Sequence, residues 1–445
     1  MLNPEQPLAA AGSPTPNGDV YCTNEELSAA VGRFAGWLER HGYASYDPYD
    51  LFGTRYGVCA RRLYYRKNPL GLAMTAPLIL AEIVAPGVRA LFVKKERFAT
   101  AEGQLILAFL NLHERALRAP PAESPSGTLS EKVGTASGWM EKARELSDHL
   151  LEISIPGFSG HCWGYPFDWQ SVTGRIPKST PHITATPYCF EAFLRLHDLT
   201  GETRFLDIAE SIASFVFHDL LDTPVGKDAA ASGYYPKDRS KVVNAVAYRA
   251  CVLFEAAQRF GREEYREAAG RNLRFILGSQ QADGSWLYAI DDPRQAFIDH
   301  FHTCFVLKNL HKINRMIRDD GVAGAICKGY AYYRRELFDA EDNPKSFAVL
   351  PRRQVVRLEM YNFAEAITLG AHLRQDIPEA FALAHTLARR LINHYQLSAG
   401  HFVTRVFHGG IKHTLPFMRW PQAQLFHALT NLLAAGEEGL KPFEP

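Results

Sequence analysis

The chain has 445 residues, 49 Lys and Arg against 48 Asp and Glu, and a formal net charge of +1. Its 47% hydrophobic and 22% charged residues are typical of a globular protein, which excludes a mostly disordered chain, a collagen-like fibre and a strongly basic nucleic-acid binder. At roughly 150 residues per domain the length allows about three domains or one large ring, and no nucleic-acid partner is expected.

The beginning of the chain predicts an arm followed by one domain. Residues 1–20 are rich in proline and lack the basic and apolar regions of a signal peptide. We therefore expect a flexible arm over residues 1–20 and a single domain over residues 21–445. A helical apolar pattern opens that domain at Asn24–His41, whereas residues 43–70, which are rich in tyrosine, predict a loop or a short β element.

The most apolar stretch of the chain runs from Pro69 to Phe92. Pro77, Glu82 and Arg89 interrupt it, so it is too short and too broken to span a bilayer. We therefore expect no integral membrane segment, and a cytoplasmic location is the default expectation.

The cysteines and the missing motifs exclude several kinds of site. Seven cysteines are spread along the chain without a CxxC pair, which argues against a disulfide framework and a zinc ribbon. The chain has no P-loop, no GxGxxG after a strand, no HExxH and no GxSxG. We expect neither a metal nor a cofactor.

An internal repeat predicts the architecture. Helix-like apolar segments, each preceded by a polar and aromatic loop, recur every 54 to 61 residues from Pro187 onward, and a less regular copy precedes them. They begin at Ala101, Pro187, Ala247, Phe301, Met360 and Pro421.

Second helices of period 3.6 lie between these segments, and residues 118–138 predict a surface linker or lid. The clearest of the second helices are Arg204–His218, Glu263–Leu277, Val322–Leu337 and Pro378–Tyr395. Six helical hairpins predict an all-α fold, an (α/α)6 toroid in which Asn24–His41 closes the ring. An open helical solenoid is the alternative that the same period permits.

The long loops predict a binding site at one end of the ring. Each long loop precedes an inner helix, so all of them open on the same side, and long loops in a compact domain are commonly functional. Aromatic faces stack on sugar rings, and charged side chains bond sugar hydroxyls. The candidate substrate-binding residues in these loops are Trp163, Trp169, His182, Tyr234, Trp286, Arg357, Arg419 and Trp420.

Five residues at the starts of inner helices or in the loops before them are candidates for acid/base chemistry. Asp299 either caps a helix or acts in catalysis, and a helix N-terminus would keep His302 neutral and able to act as a base. Glu359 could serve as an acid or a base and Tyr361 as a proton carrier. If Asp168 and Glu359 face the same funnel, a two-carboxylate hydrolase becomes possible.

The string QADGSW, which ends at Trp286, predicts a tight turn between hairpins. Gly284 would supply the backbone freedom that the turn needs, Trp286 would fill the space between helices, and Gln281 would cap the turn. The string resembles the QW repeats of terpenoid cyclases and also strings in sugar-processing toroids. No DxDD or DDxxD string is present, which argues against binding of a prenyl diphosphate.

Three longer strings carry a family resemblance over roughly residues 155–435. They are PHITATPYCFEAFLRL, DGSW followed by IDHFHTCFVLKNL, and MRWPQAQLFHALTNL. They resemble the VpsJ-like proteins of bacterial exopolysaccharide biosynthesis, which are grouped with the prenyltransferase and squalene-cyclase toroids. Asp299 and His302 match the family's string, whereas His300 and Cys304 depart from it. The resemblance implies a six-hairpin, glycosidase-like toroid that makes or modifies a surface polysaccharide, with polysaccharide-assembly proteins as expected partners.

These patterns together predict a carbohydrate-active protein of polysaccharide biosynthesis that acts on an oligo- or polysaccharide by acid/base chemistry. Hydrolysis, β-elimination and epimerisation all remain open. Two other classes of function stay as alternatives. One is a glycan-binding or assembly factor without catalysis, and the other is a terpenoid cyclase or prenyltransferase-like toroid.

Overall fold

Six helical hairpins form a ring in the computed structural model, which describes residues 21–118, 135–349 and 354–437. The predicted arm over residues 1–20 and most of the predicted linker over residues 118–138 lie outside the described residues. In chain order the helices are α1 (Asn24–His41), α2 (Asp50–Gly53), α3 (Arg55–Tyr65), α4 (Pro69–Val84), α5 (Ala99–Arg118), α6 (Ala136–Glu152), α7 (Thr186–Thr200), α8 (Thr203–His218), α9 (Val243–Phe260), α10 (Glu263–Gly278), α11 (His300–Ile317), α12 (Asp320–Glu336), α13 (Met360–His372), α14 (Pro378–Tyr395) and α15 (Ala423–Glu437).

The inner helices are α5, α7, α9, α11, α13 and α15, and most of their residues are buried on every side. The outer helices α6, α8, α10, α12, α14 and α1 each bury one apolar face against them. The periodicity of the sequence therefore reports how deep each helix lies, because a helix at the surface of a ring keeps a polar side and an inner one does not.

Contacts between the last and the first inner helix close the ring. Each inner helix packs against the next in chain order, and α15 packs back against α5. Phe109 of α5 meets Phe426 of α15 edge-on, with ring centroids 5.7 Å apart. Phe34 of α1 stacks on the same Phe426 at 4.8 Å, so α1 covers the joint. The predicted all-α (α/α)6 toroid is confirmed, and the open solenoid is excluded.

The QADGSW string forms the tight turn that its sequence predicts. Gly284 has a φ of 95°, and a Cβ at this position would lie 2.3 Å from the carbonyl oxygen of Lys328. The buried indole of Trp286 donates to the carbonyl of Ile276 at 2.9 Å. The glutamine side chain that caps the turn is Gln280, not Gln281 as expected, and it donates to the carbonyl of Gly284 at 3.0 Å.

Short strands in the long loops join one repeat to the next. In chain order the strands are β1 (Trp169–Gln170), β2 (Arg175–Ile176), β3 (Asp222–Val225), β4 (Ala229–Ser232), β5 (Ile298–Asp299), β6 (Phe347–Val349), β7 (Val356–Glu359), β8 (Arg405–Phe407) and β9 (Lys412–His413). β5 pairs with β6 and β7 with β8, both antiparallel. The long loops that precede α11, α13 and α15 are therefore hydrogen-bonded to one another rather than independent.

Residues 43–98 form an insertion between α1 and α5 that contains three helices. The expected loop or β element over residues 43–70 is wrong, because α2 and α3 occupy most of this segment. Thr54 caps α3 by accepting the amide of Gly57 at 3.1 Å, and Asn68 caps α4 by accepting the amide of Leu70 at 2.9 Å. Caps at both starts stabilise a helical hairpin, α3–α4, whose first helix packs against β1. Among the described residues no helix is long and apolar enough to cross a membrane.

We expect Gly71→Ala to destabilise this hairpin. A Cβ at Gly71 would lie 2.2 Å from the backbone nitrogen of Tyr64, so the two helices would have to separate. Overpacking of this kind costs about 1–3 kcal/mol. Gly87→Ala is the matched control, because no atom lies within 4 Å of the added carbon there. Urea unfolding together with limited proteolysis of residues 55–84 would check this, and equal stability of the two variants would contradict it.

Candidate active site on the loop face

Aromatic rings from several loops meet at the end of the ring where the inner helices begin. We call this layer the aromatic basin. Its members are Tyr165, Trp169, His182, Tyr234, Tyr288, Phe301, Tyr361 and Trp420. The guanidinium of Arg419 connects its two halves, lying 4.7 Å from the ring centre of Tyr165 and 5.7 Å from that of Trp420. The loops thus converge as the repeat predicts.

The basin is filled by its own side chains. The rings of Tyr361 and Trp420 are parallel within 4° and 3.8 Å apart, and Phe301 meets Trp420 edge-on at 5.1 Å. In the Tyr361–Trp420 stack each ring covers one face of the other, so those two faces are not open to a sugar in this conformation.

Asp299 and His302 form a hydrogen-bonded pair at the start of α11. Asp299 caps the helix by accepting the amide of His302 at 3.3 Å, and its Oδ2 lies 2.7 Å from His302 Nδ1. The carboxylate is buried, while the imidazole keeps about a fifth of its surface in contact with solvent (19%). An Nδ1–H donated to the carboxylate leaves the lone pair on Nε2, which is the tautomer a general base needs. The two roles weighed for Asp299, cap and catalytic partner, are compatible.

A small cavity of about 10 Å³ lies beside this pair. Its lining includes Asn244, Trp286, Tyr288, Asp299, His302 and Thr303. The amide of Asn244 is buried, and neither its nitrogen nor its oxygen has a hydrogen-bond partner among the residues that the structure describes. Buried amide groups without partners are rare, because each lost hydrogen bond costs about 1–3 kcal/mol. The volume is close to that of a single water or hydroxyl group, so Asn244 is placed to bond a small polar group next to His302.

His300 belongs to the core rather than to the basin. Its Nδ1 lies 3.2 Å from the carbonyl oxygen of Leu337, and its Nε2 lies 2.8 Å from the hydroxyl of Tyr333. Burial lowers the pKa of His300 to about 3. His300 and His302 therefore point to opposite surroundings although they are two residues apart.

Glu359 is held by an arginine at the end of β7. The register of β7 and β8 places it opposite Arg405, whose Nε donates to Glu359 Oε2 at 2.7 Å. Its other oxygen is buried, and the side chain of Trp420 lies near the carboxylate. Burial raises the pKa of Glu359, although Arg405 opposes that shift. Glu82 of α4 reaches the same arginine at 3.5 Å, so the insertion meets the ring at this point.

Asp168 is fixed to its own hairpin at the rim. It accepts the guanidinium of Arg175 at 2.5 Å and the backbone amide of Lys178 at 2.9 Å. Asp168 and Glu359 are therefore each engaged by an arginine. The two-carboxylate hydrolase that these residues could form stays a prediction.

Charged side chains that the sequence analysis did not single out lie beneath the basin. Lys308 of α11 and Glu365 of α13 form a buried ion pair, and Tyr361 packs above it. Burial raises the pKa of Tyr361 well above its ordinary value. One turn further along, Lys312 of α11 bonds Glu191 of α7 at 2.6 Å, which spans the ring because α9 separates these two helices. Their only signal in the sequence is a lysine or glutamate amid apolar helix positions.

Arg419 is paired with a residue of the insertion. Its Nε and Nη2 donate to the two oxygens of Asp47 at 2.6 and 2.8 Å, and both side chains are buried. Asp47 lies far away in the sequence, and no pattern there marked it. Arg419 thus holds the insertion against the basin, and it presents to the basin only the face of its guanidinium.

Three predicted binding residues lie away from the basin surface. Trp163 is buried, and its indole donates to the carbonyl of Leu150 at 2.8 Å, as Trp286 does to that of Ile276. Both plug the joint between an outer helix and the next loop, so their burial does not support stacking on a substrate. Arg357 is exposed on β7. Trp169, His182, Tyr234 and Trp420, by contrast, are members of the basin.

A second and larger cavity of about 440 Å³ opens at the other end of the ring, where the inner helices end. Its lining is rich in arginine and includes Arg115, Arg118, Arg195, Arg315, Arg374 and Glu114. The sequence analysis missed it because the turns at this end are short. Within the described residues no cluster of three or more His, Cys, Asp or Glu side chains could hold a metal ion.

Known proteins match this chain in structure and not in sequence. No family model and no curated protein matches its sequence. A cellobiose 2-epimerase from Bacillus thermoamylovorans has a TM-score of 0.57 at 9% identity, over 77% of this chain and 88% of its own. The Lin0763 protein from Listeria innocua has a TM-score of 0.55 at 11% identity, over 78% and 87%.

An unsaturated glucuronyl hydrolase variant from Streptococcus agalactiae has a TM-score of 0.53 at 10% identity, over 95% of this chain and 93% of its own. Identities this low show the fold. The neighbours are (α/α)6 toroids of the glycosidase and epimerase kind, which agrees with the glycosidase-like architecture that the resemblance implied. Membership in the VpsJ-like family is not shown and stays a prediction.

We expect the folded protein to lose stability as the pH falls from about 6.5 towards 3, in part through His300. The pKa of His300 is lowered to about 3 in the folded state, so the unfolded chain takes up the proton first and stability rises with pH in this window. Between pH 7 and pH 5 the contribution is about 2 kcal/mol.

The comparison that isolates this effect uses His300→Asn, whose amide can still bond the carbonyl of Leu337. Urea unfolding at pH 7 and pH 5 should show a smaller difference for this variant than for the natural chain. His218→Asn is the control, since His218 is exposed. An unchanged difference in His300→Asn would show that His300 does not carry the proton linkage.

Proposed function

We propose that this protein is a carbohydrate-active enzyme that moves a proton on a glycan bound at the loop face, in epimerisation or β-elimination. The observation that carries the proposal is the Asp299–His302 pair beside a cavity in which the amide of Asn244 meets no partner from the described part of the chain. A base oriented by a buried carboxylate, with an unpaired amide next to it, is an arrangement suited to proton abstraction.

His302 is the base in this proposal. Its Nε2 would accept a proton from a sugar carbon next to a carbonyl or carboxyl group. Asp299 would stabilise the imidazolium that forms, which offsets the unfavourable effect of the positive end of the α11 dipole.

Glu359 and Asn244 would support the reaction in different ways. Glu359 is buried and has a raised pKa, so it would hold a proton and return it to the substrate. Asn244 would bond the oxygen on which negative charge develops. Trp169 and Trp420 would supply faces for neighbouring sugar rings once the ring of Trp420 moves away from Tyr361.

We favour proton transfer over hydrolysis because both candidate carboxylates of the hydrolase hypothesis are engaged by arginines. Asp168 and Glu359 both bond arginines. The structural neighbours include an epimerase and a hydrolase, so the shared fold supports action on glycans in general without choosing between the reactions. A terpenoid cyclase or prenyl-transfer role is disfavoured, since Lys308 and Glu365 make the axis below the basin ionic.

The biological setting rests on the sequence resemblance alone. We infer a role in bacterial polysaccharide biosynthesis or modification, in the cytoplasm, on an oligo- or polysaccharide and alongside polysaccharide-assembly proteins. The strings around Asp299 and His302 support this setting, because both residues match the string of the VpsJ-like family.

Incubation with acidic and neutral oligosaccharides in heavy water tests the reaction. The natural chain should give an epimer carrying one deuterium, read by mass, or an unsaturated uronate, read by absorbance. We expect His302→Gln to lower the rate by about 10²–10⁴-fold, because it removes the general base. His408→Gln replaces an exposed histidine and should leave the rate unchanged.

A glycan-binding factor without catalysis makes the opposite prediction. It would leave every glycan unchanged, and His302→Gln would bind glycans as the natural chain does, whereas Trp420→Ala would bind them more weakly. Absence of any product, with such binding intact, would contradict the enzymatic proposal.

A further inference from the structure

The helix α4 exposes an apolar face to solvent. Pro69, Ala73, Ala76, Leu80 and Val84 are all exposed and recur at intervals of three and four, which places them along one side of the helix. In an ordinary surface helix this side would be polar. The side that packs on the protein includes Gly71 and Thr75, both buried.

The exposed apolar surface continues beyond the helix through the 3-10 turn Pro86–Leu91. We call the combined surface the apolar platform. Its large members are Leu70, Leu72, Leu80, Val84, Leu91 and Phe92, each more than half exposed. The two charged residues within residues 69–92 are Glu82 and Arg89, which bond each other and do not belong to the exposed surface. Single exposed apolar side chains are common in proteins, whereas a contiguous uncharged surface of this kind marks an interaction site.

Cations lie at both ends of the platform. Arg66 and Lys67 come immediately before α4, and Lys94 and Lys95 follow the platform; all four are exposed and form no ion pair with the described residues. Residues 43–98 hold nine Lys and Arg against four Asp and Glu, a net charge of +5. The whole chain carries +1, so the rest of the chain is acidic. The positive charge is therefore concentrated around the platform.

We propose that the apolar platform binds the surface of a membrane containing anionic phospholipids. A helix that is apolar on one side and bordered by lysine and arginine lies in the interface between headgroups and acyl chains, where both contacts are satisfied. The 16 residues of α4 rise about 24 Å, which is shorter than the bilayer core of about 30 Å. The platform thus lies on the membrane and does not cross it.

Charge distinguishes this partner from a second copy of the chain. A two-fold contact between two platforms would bring the cations at their ends together without anions to neutralise them. Anionic headgroups neutralise the cations while the acyl region covers the apolar face. A membrane therefore complements both the apolar face and the cations at its ends, whereas a second copy of the chain complements the apolar face alone.

The platform lies on the same side of the ring as the aromatic basin. Glu82, on the inward side of α4, reaches His413 at 3.2 Å and Arg405 at 3.5 Å, and both of these residues belong to the long loop between α14 and α15. Membrane binding through α4 would therefore hold the loop face close to the lipid surface. This inference does not depend on the reaction proposed above.

Co-sedimentation with large unilamellar vesicles tests the proposal. Vesicles of phosphatidylcholine with roughly 30% phosphatidylglycerol should bind the full chain, and vesicles of phosphatidylcholine alone should bind it much less, since each cation near an anionic surface strengthens binding roughly fivefold. Binding should weaken as salt is raised.

Two variants separate the apolar and the charged contributions. Leu72→Glu with Leu80→Glu should lower the partition coefficient at least tenfold, and Lys94→Glu with Lys95→Glu should do so by a similar factor while removing the salt dependence. Leu221→Glu is the matched control, because Leu221 is a half-exposed leucine outside the platform (51%) and should leave binding unchanged. Circular dichroism confirms that each variant is folded.

Two results would overturn the proposal. One is the same weak binding to both kinds of vesicle, or an equal loss in Leu221→Glu. The other is a dimer in light scattering that Leu72→Glu with Leu80→Glu converts to a monomer while vesicle binding is absent, which would assign the platform to a second copy. Neither result bears on catalysis, which the heavy-water experiment measures without vesicles.

Discussion

The contact of α15 with α5 is the constraint on which the rest of the molecule depends. Because the ring closes there, six inner helices run in one direction around a common axis, and all six begin at the same end. Every loop that precedes an inner helix must then reach the same space. The strand pairs β5–β6 and β7–β8 follow from this crowding, and they place Asp299 and Glu359 at the ends of strands whose partners belong to neighbouring repeats.

Closure also decides where polar side chains can be tolerated. The inner helices are buried on every side, so a charged residue on them needs a partner. Lys308 meets Glu365 and Lys312 meets Glu191 in this way. Near the loop face the partners come from the loops and the insertion, as with Arg419 and Asp47. The amide of Asn244 is also buried, and it has no hydrogen-bond partner within the described residues.

Much of the architecture could be predicted from the sequence, because a repeat of 54 to 61 residues is a property of local apolar spacing. The Asp299–His302 pair was also within reach, since both residues lie in a single turn. The pairing of Arg419 with Asp47 and of Glu359 with Arg405 was not, because these partners meet only in the closed ring. The α3–α4 hairpin was missed although Thr54 and Asn68 are helix caps, because the tyrosine content of the segment suggested extended structure.

The ion pair of Lys312 and Glu191 has a consequence for how a glycan could be handled. It bridges the ring from α11 to α7, below the Tyr361–Trp420 stack and above the arginine-lined cavity. Together with the buried pair of Lys308 and Glu365 it places bonded side chains between the inner helices, so under the function proposed above a glycan would not be threaded through the ring. A glycan at the loop face would have to enter and leave by the same mouth, which suits capture of chain ends or short oligosaccharides rather than sliding along a continuous strand.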